Sequence, residues 1–183
     1  VLFSDEAERI FQAEGLDVHV RDFAGGALAL QAVHDGAAHV CSGAYEHTLL
    51  QQSQGHDFRA FVVQGRAPQQ ALGVSVRALP GYRRPADLRG RRVGVSAPGS
   101  STQVMASVLL ARAGVDAREV SFVGVGTGAT AVAALRTGRV HALCHADPIM
   151  SLLEHRGEVR LVSDLRTLTV AQELFGGSMP ASC

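Results

Sequence analysis

The sequence predicts an α/β protein built as two lobes, and three observations carry that expectation. The run over residues 26–45, GALALQAVHDGAAHVCSGAY, is echoed over 128–147 by GATAVAALRTGRVHALCHAD, with Gly26 falling on Gly128, Gly36 on Gly138 and His39 on His141. Each copy reads as an alanine-rich helix closed by glycine, then a short apolar strand, then a polar turn. Strand-like and helix-like runs alternate along the chain, the pattern of parallel sheets covered by helices. Between the copies, residues 77–92 hold Pro80, Gly81, Pro85 and Gly90, a run of breakers that marks a boundary.

Taken in order, Ser4 offers an N-cap with Asp5 and Glu6 behind it, which starts a helix over 5–14 stopped by Gly15. Residues 16–20 alternate apolar and polar and predict a strand. Gly25 and Gly26 turn the chain into a helix over 27–34, stopped at Gly36; a short strand over 39–41 and a helix over 45–54 follow. Residues 58–63 and 71–76 predict two more strands. Beyond the boundary come a strand over 92–96, a helix over 102–113, a strand over 120–125 and a helix over 130–137. A strand over 140–144, a helix over 148–155 and a strand over 160–163 complete the pattern, and the tail beyond carries no clear signal. The division is therefore residues 1–76 as lobe one, with 164–183 returning to it, and 77–163 as lobe two.

Composition bounds the function. At 183 residues the chain forms one large domain or two small ones, and 46% hydrophobic residues suffice for a core. The formal net charge is zero, which argues against a non-specific nucleic-acid binder with its basic excess. Arg83, Arg84, Arg89, Arg91 and Arg92 cluster, but Asp87 interrupts them, and the group reads as a solvated linker edge. No apolar run approaches the roughly 20 residues that span a bilayer, so no direct membrane insertion is expected. No basic-then-apolar leader opens the sequence. Cys41, Cys144 and Cys183 make an odd count with no close pairing, which predicts no disulfide framework.

The most chemical-looking segment is the turn Ser96-Ala97-Pro98-Gly99-Ser100-Ser101-Thr102 between a strand and a helix. Gly99 permits a tight turn, and the free N–H groups of the helix start, with the hydroxyls of Ser100, Ser101 and Thr102, make a neutral cradle for an oxyanion. The chain has no lysine and no GxxxxGK[ST], which excludes a P-loop. Gly124-Val125-Gly126-Thr127-Gly128 is a lone GxGxG without the acid a dinucleotide site needs, so Thr127 reads as a turn residue bordering a ligand and no cofactor is expected. His141, Cys144, His145 and Asp147 lie close in sequence, yet neither they nor His39, Cys41 and His47 show a zinc spacing, so no metal is expected. No GxSxG elbow and no paired carboxylates mark a catalytic centre. Cys41 and Cys144, on short apolar strands, read as inert core.

At these residues a family resemblance emerges. ADLRGRRVGV over 86–95 resembles the "DLkGkkvgv" that opens the second lobe of bacterial periplasmic substrate-binding proteins of the nitrate/sulfonate/taurine type, which are related to thiamine-precursor-binding proteins. EGLDV over 14–18 is similar to that family's "eGLdV", and ALRTGRVHA over 134–142 to its "AlxxGxvDA", followed by Asp147-Pro148. The resemblance covers nearly the whole chain. His39 and His141 stand where the family usually has aspartate. The family's first strand would precede Val1, and its chain would run on past Cys183, so the resemblance implies a fold truncated at both ends here.

The resemblance implies a two-lobed, type II periplasmic-binding-protein-like fold that closes by hinge motion on a solute held between the lobes. The segments crossing between lobes would lie near 71–76 and 160–163. It implies the extracytoplasmic, periplasmic component of an ABC importer, monomeric, handing a small anionic or sulfonate-like solute to a membrane permease without chemistry. The ligand-binding residues expected are Ser42, Gly43 and Tyr45 on one side, Ser100, Ser101 and Thr102 on the other, and Thr127, His145 and Asp147 at the border. Two alternatives share the architecture. One is a pyrimidine-precursor synthase-like enzyme, whose cysteine-rich active-site run is missing here. The other is the sensing domain of a transcription regulator, which would carry a helix-turn-helix.

Overall fold

A computed structural model describes residues 5–23, 25–177 and 181–183. The Ser4 cap and residues 178–180 of the returning tail lie outside the described residues. In the first third, α1 (Asp5–Ala13), α2 (Gly26–His34) and α3 (Tyr45–Ser53) form where the sequence predicts helices. The strands expected over 16–20, 39–41 and 58–63 do not form: among the described residues none of these segments joins a ladder. Alternation fixes which side chains share a face; a strand also needs a neighbour to take its N–H and C=O groups. The little pairing present comes from residues 181–183. Gly43 and Cys183 exchange both backbone hydrogen bonds (2.8 and 2.9 Å), Tyr45 N–H donates to Ala181 O, and Gln64 N–H donates to Ser182 O.

From Gln70 onward the chain builds a five-stranded sheet in the order β3-β2-β4-β1-β5. The strands are β1 (Gln70–Ser75), β2 (Arg92–Val95), β3 (Ser121–Gly124), β4 (Ala142–Ala146) and β5 (Val159–Asp164). The sheet is mixed rather than parallel throughout, because β2 pairs in parallel with β3 and β4 whereas β1 runs antiparallel to β4 and β5. The parallel pairs are those joined through helices, as crossover connections require. β1, expected on the first-lobe side of the boundary, thus shares a sheet with the strands that follow it. The second copy of the repeat becomes α5 (Ala129–Arg136) and β4, the first becomes α2 and a segment with no strand.

Helices cover both faces. On one, α4 (Ser101–Arg112) packs Met105, Ala106, Leu109 and Leu110 onto Leu72, Val74, Val93, Val95, Ala142 and Cys144, with Ala171 of α7 (Leu168–Phe175) beside them. On the other, Ala131, Val132, Ala134 and Leu135 of α5 and Ile149, Met150 and Leu153 of α6 (Ile149–His155) pack onto Ala71, Leu143 and Val159. The tail, silent in the sequence reading, supplies α7, capped by the Thr167 hydroxyl on Val170 N–H and closed by Gly176 at φ 76°. Gly94 in β2 allows this second face to close, since a Cβ there would stand 2.9 Å from Leu143 Cδ1.

Candidate functional site

β2 leads into α4 on one face of the sheet, and β4 leads into α6 on the other. Their carboxyl ends lie side by side and the two connections part to opposite faces, the point at which open α/β sheets usually take their ligands. Gln70, the first residue of antiparallel β1, stands opposite Ala146 and so reaches the same end.

The turn after β2 is tightly self-bonded. Thr102 Oγ1 accepts Ser96 N–H at 2.8 Å and lies 2.8 Å from Ser100 Oγ; both hydroxyls are buried. Gly99, at φ 75°, donates its N–H to Gln103 Oε1. The cradle is therefore smaller than three adjacent hydroxyls suggest, because Ser100 and Thr102 spend theirs holding the turn. What stays available is the half-buried Ser101 hydroxyl, with the N–H groups of Ser101 and Thr102, which have no acceptor among the described residues. Ser100 O takes the next two N–H groups of α4, from Gln103 and Val104.

His145 is buried rather than presented. Ala146 N–H donates to its Nδ1 (3.0 Å), which leaves the proton on Nε2 to donate to Gly126 O at 3.0 Å. Both ring nitrogens are thus used in tying the glycine turn after β3 to the end of β4. Thr127, in that turn, is exposed. Asp147 caps α6, its Oδ1 accepting from the Ser151 N–H (2.9 Å) and hydroxyl (2.8 Å). Burial pushes its carboxyl up, but those bonds and Arg166 outweigh that and leave it below the usual range. Arg166 fastens three elements: it pairs with Asp147 (3.4 Å), Glu154 of α6 (2.7 Å) and Asp164 at the end of β5 (2.7 Å).

Ser42 donates to Gln64 Oε1 at 2.8 Å, Gly43 pairs with Cys183, and Tyr45 opens α3. No hydrogen bond joins these three residues to the 96–102 turn among the described residues. Two residues of the site escape the sequence reading. Gln70, 8% exposed, donates from Nε2 to Ser101 Oγ at 2.9 Å. Arg166, in a tail without periodicity, is the other. Gln70 opens β1 ahead of Ala71-Leu72-Gly73-Val74, and a polar residue opening such a run is the available signal. His141 lies outside β4 and accepts Arg92 N–H on Nδ1, and burial with Arg92 and Arg91 nearby holds its pKa down. Cys144 is fully buried, its thiol pushed up to about 12 by burial. Among the described residues no group of three or more His, Cys, Asp or Glu is placed to hold a metal ion, and no helix is long and apolar enough to cross a membrane.

A family model described as NMT1/THI5 like matches residues 7–174. A solved protein of Bordetella bronchiseptica RB50 is 53% identical, with a TM-score of 0.91 over 97% of this chain and 56% of its own. The alkanesulfonate-binding protein SsuA of Xanthomonas axonopodis pv. citri, solved with MOPS bound, is 24% identical, with a TM-score of 0.66 over 89% of this chain and 56% of its own. The aliphatic sulphonate-binding protein SsuA of Escherichia coli is 22% identical, with a TM-score of 0.62 over 87% and 54%. The last two share the periplasmic-binding-protein-like fold. This chain spans little more than half the length of these structures. A search of curated proteins returned no match.

Proposed function

The chain belongs to the NMT1/THI5-like family, and from that premise we propose that it captures a small anionic, sulfonate-like solute as the binding component of an ABC importer. The observation that carries this reading is the first turn of α4. Two unbonded N–H groups and the Ser101 hydroxyl sit together beyond the carboxyl end of β2, next to the end of β4. Such a cluster attracts an anion through the helix end without needing a lysine or arginine. Sulfonate is the favoured anion class because two proteins of the same fold bind sulfonates.

In this reading residues up to about 69, with 181–183, belong to one lobe, and 70–177 form most of the other. Ser42, Gly43 and Tyr45 would meet the solute when the lobes close, with Thr127, His145 and Asp147 shaping the border. The protein works outside the cytoplasm, as a monomer, and passes the solute unaltered to a membrane permease. Calorimetric titration with ethanesulfonate, taurine and nitrate, with a neutral sugar as control, tests the proposal. Saturable binding of a sulfonate is expected, weakened about fivefold or more in Ser101→Ala, with unaltered solute recovered by mass spectrometry. A new product would instead favour an enzyme, and sugar binding without sulfonate binding would sink the anion reading.

A further inference from the structure

We infer that Gln70 is a positioning residue whose amide turns the Ser101 hydroxyl into a hydrogen-bond donor aimed at the bound anion. The inference rests on the anion reading of the same site and adds to it the group that sets its polarity.

The backbone of Gln70 is fixed on both sides. It stands opposite Ala146 of β4, its carbonyl accepts Leu165 N–H at 2.8 Å, and Gln69 N–H donates to Leu165 O beside it. From that anchor the side chain reaches the first turn of α4, where Nε2 donates to Ser101 Oγ at 2.9 Å. A serine hydroxyl has one proton and two lone pairs. With a lone pair engaged by Gln70, the proton must go elsewhere, and no protein acceptor takes it among the described residues. It is left to join the unbonded N–H groups of Ser101 and Thr102, which gives three donors within one turn and no formal charge.

A second observation argues that this amide is not there for stability. Gln70 Oε1 is buried and has no hydrogen-bond partner. A buried carbonyl without a protein partner costs free energy that an apolar side chain would avoid, and the strand continues with the buried residues Ala71, Leu72 and Val74. The amide is kept against that cost because its other end sets the direction of the Ser101 proton. The reverse amide orientation would draw the hydroxyl proton inward and present lone pairs to the solute, which repels an anion.

A double-mutant cycle on the full chain tests this, with ethanesulfonate and inorganic sulfate as probes. Affinity is read by calorimetry and by amide NMR shifts of Ser101 and Thr102. Gln70→Met and Ser101→Ala should each weaken binding about three- to tenfold, and the double variant should bind no worse than Ser101→Ala alone within about twofold. Gln70→Glu, similar in shape but able only to accept, should weaken binding more than about thirtyfold, since it captures the serine proton and adds a negative charge. The melting temperature of Gln70→Met should equal or exceed that of the parent, a result a merely structural glutamine would not give. Additive losses in the cycle, wild-type affinity in Gln70→Met or Gln70→Glu, or a drop in melting temperature matching the affinity loss would overturn the role of Gln70 alone. Absence of saturable shifts with either probe in the parent protein would remove the anion reading, and this inference with it.

Discussion

Val18 and Val95 both sit in alternating apolar runs, yet Val18 stays 42% exposed while Val95 is fully buried. The same contrast separates residues 5–65 from residues 70–177. In the later region each predicted strand finds a neighbour, and the helices between close over both faces. In the earlier one, Leu16, Val20, Val40, Phe61, Val62 and Val63 remain exposed on segments that join no ladder among the described residues. Both regions carry the local signal. Among the described residues only the later region has the partner strands that turn a pattern into a sheet, and burial of apolar area, worth about 25 cal/mol per Å², follows from pairing.

The largest effect that should separate the two regions is thiol reactivity. Cys144 lies in the closed core with its thiol at about 12, whereas Cys41 and Cys183 are half-buried in the open region. Iodoacetamide at pH 8 should label Cys41 and Cys183 on the native protein, with Cys144 at least about a hundredfold slower because so little of it is thiolate. Peptide mass mapping over time checks this; comparable labelling of Cys144 would mean that the later region opens as readily as the earlier.

Core truncation comes next. Leu110→Ala or Leu143→Ala, at fully buried positions, should cost about 2–5 kcal/mol in urea unfolding, while Phe61→Ala should stay within about 0.5 kcal/mol. A large loss for Phe61→Ala would show that residues 58–63 are covered in solution and break the comparison. Filling the close approach at Gly94 with alanine should cost about 1–3 kcal/mol, because Leu143 and Val140 must give way.

The smallest effect is a pH dependence. Hydrogen bonding and charge from Arg166 hold Asp164 below the usual carboxylate range. A carboxyl depressed in the folded state adds stability that is present above its unfolded value of about 3.9, and that is lost as pH falls through the lower folded value. Urea midpoints measured from pH 6 to pH 2.5 should therefore fall less steeply on the acid side in Arg166→Met than in the parent. Equal slopes would assign the acid sensitivity elsewhere.

Most helices were legible in the sequence because their signals are local: caps, stopping glycines and a repeating apolar face. The strands from residue 70 on were legible for the same reason, although the antiparallel setting of β1 was not, since alternation says nothing of direction. Ser101 was visible as part of a hydroxyl run at a strand-to-helix turn, but not that Ser100 and Thr102 consume their hydroxyls inside that turn. His145 looks chemically available beside Asp147 in the sequence; its bond to Gly126, nineteen positions away, is a tertiary matter. Gln70 and Arg166 act across the fold and leave only faint local traces.

The stitch made by residues 181–183 has a consequence in time as well as in space. Gly43 and Tyr45 bond to Cys183 and Ala181, and Gln64 to Ser182. At a synthesis rate of about 5–20 residues per second, the earlier segments leave the ribosome roughly 6–28 s ahead of these partners. The strands of the five-stranded sheet all lie before residue 165 and can assemble during that interval. Until the late residues arrive, the backbone groups near Gly43 and Gln64 remain open to other chains, so a holding chaperone has its clearest window of use on those two segments.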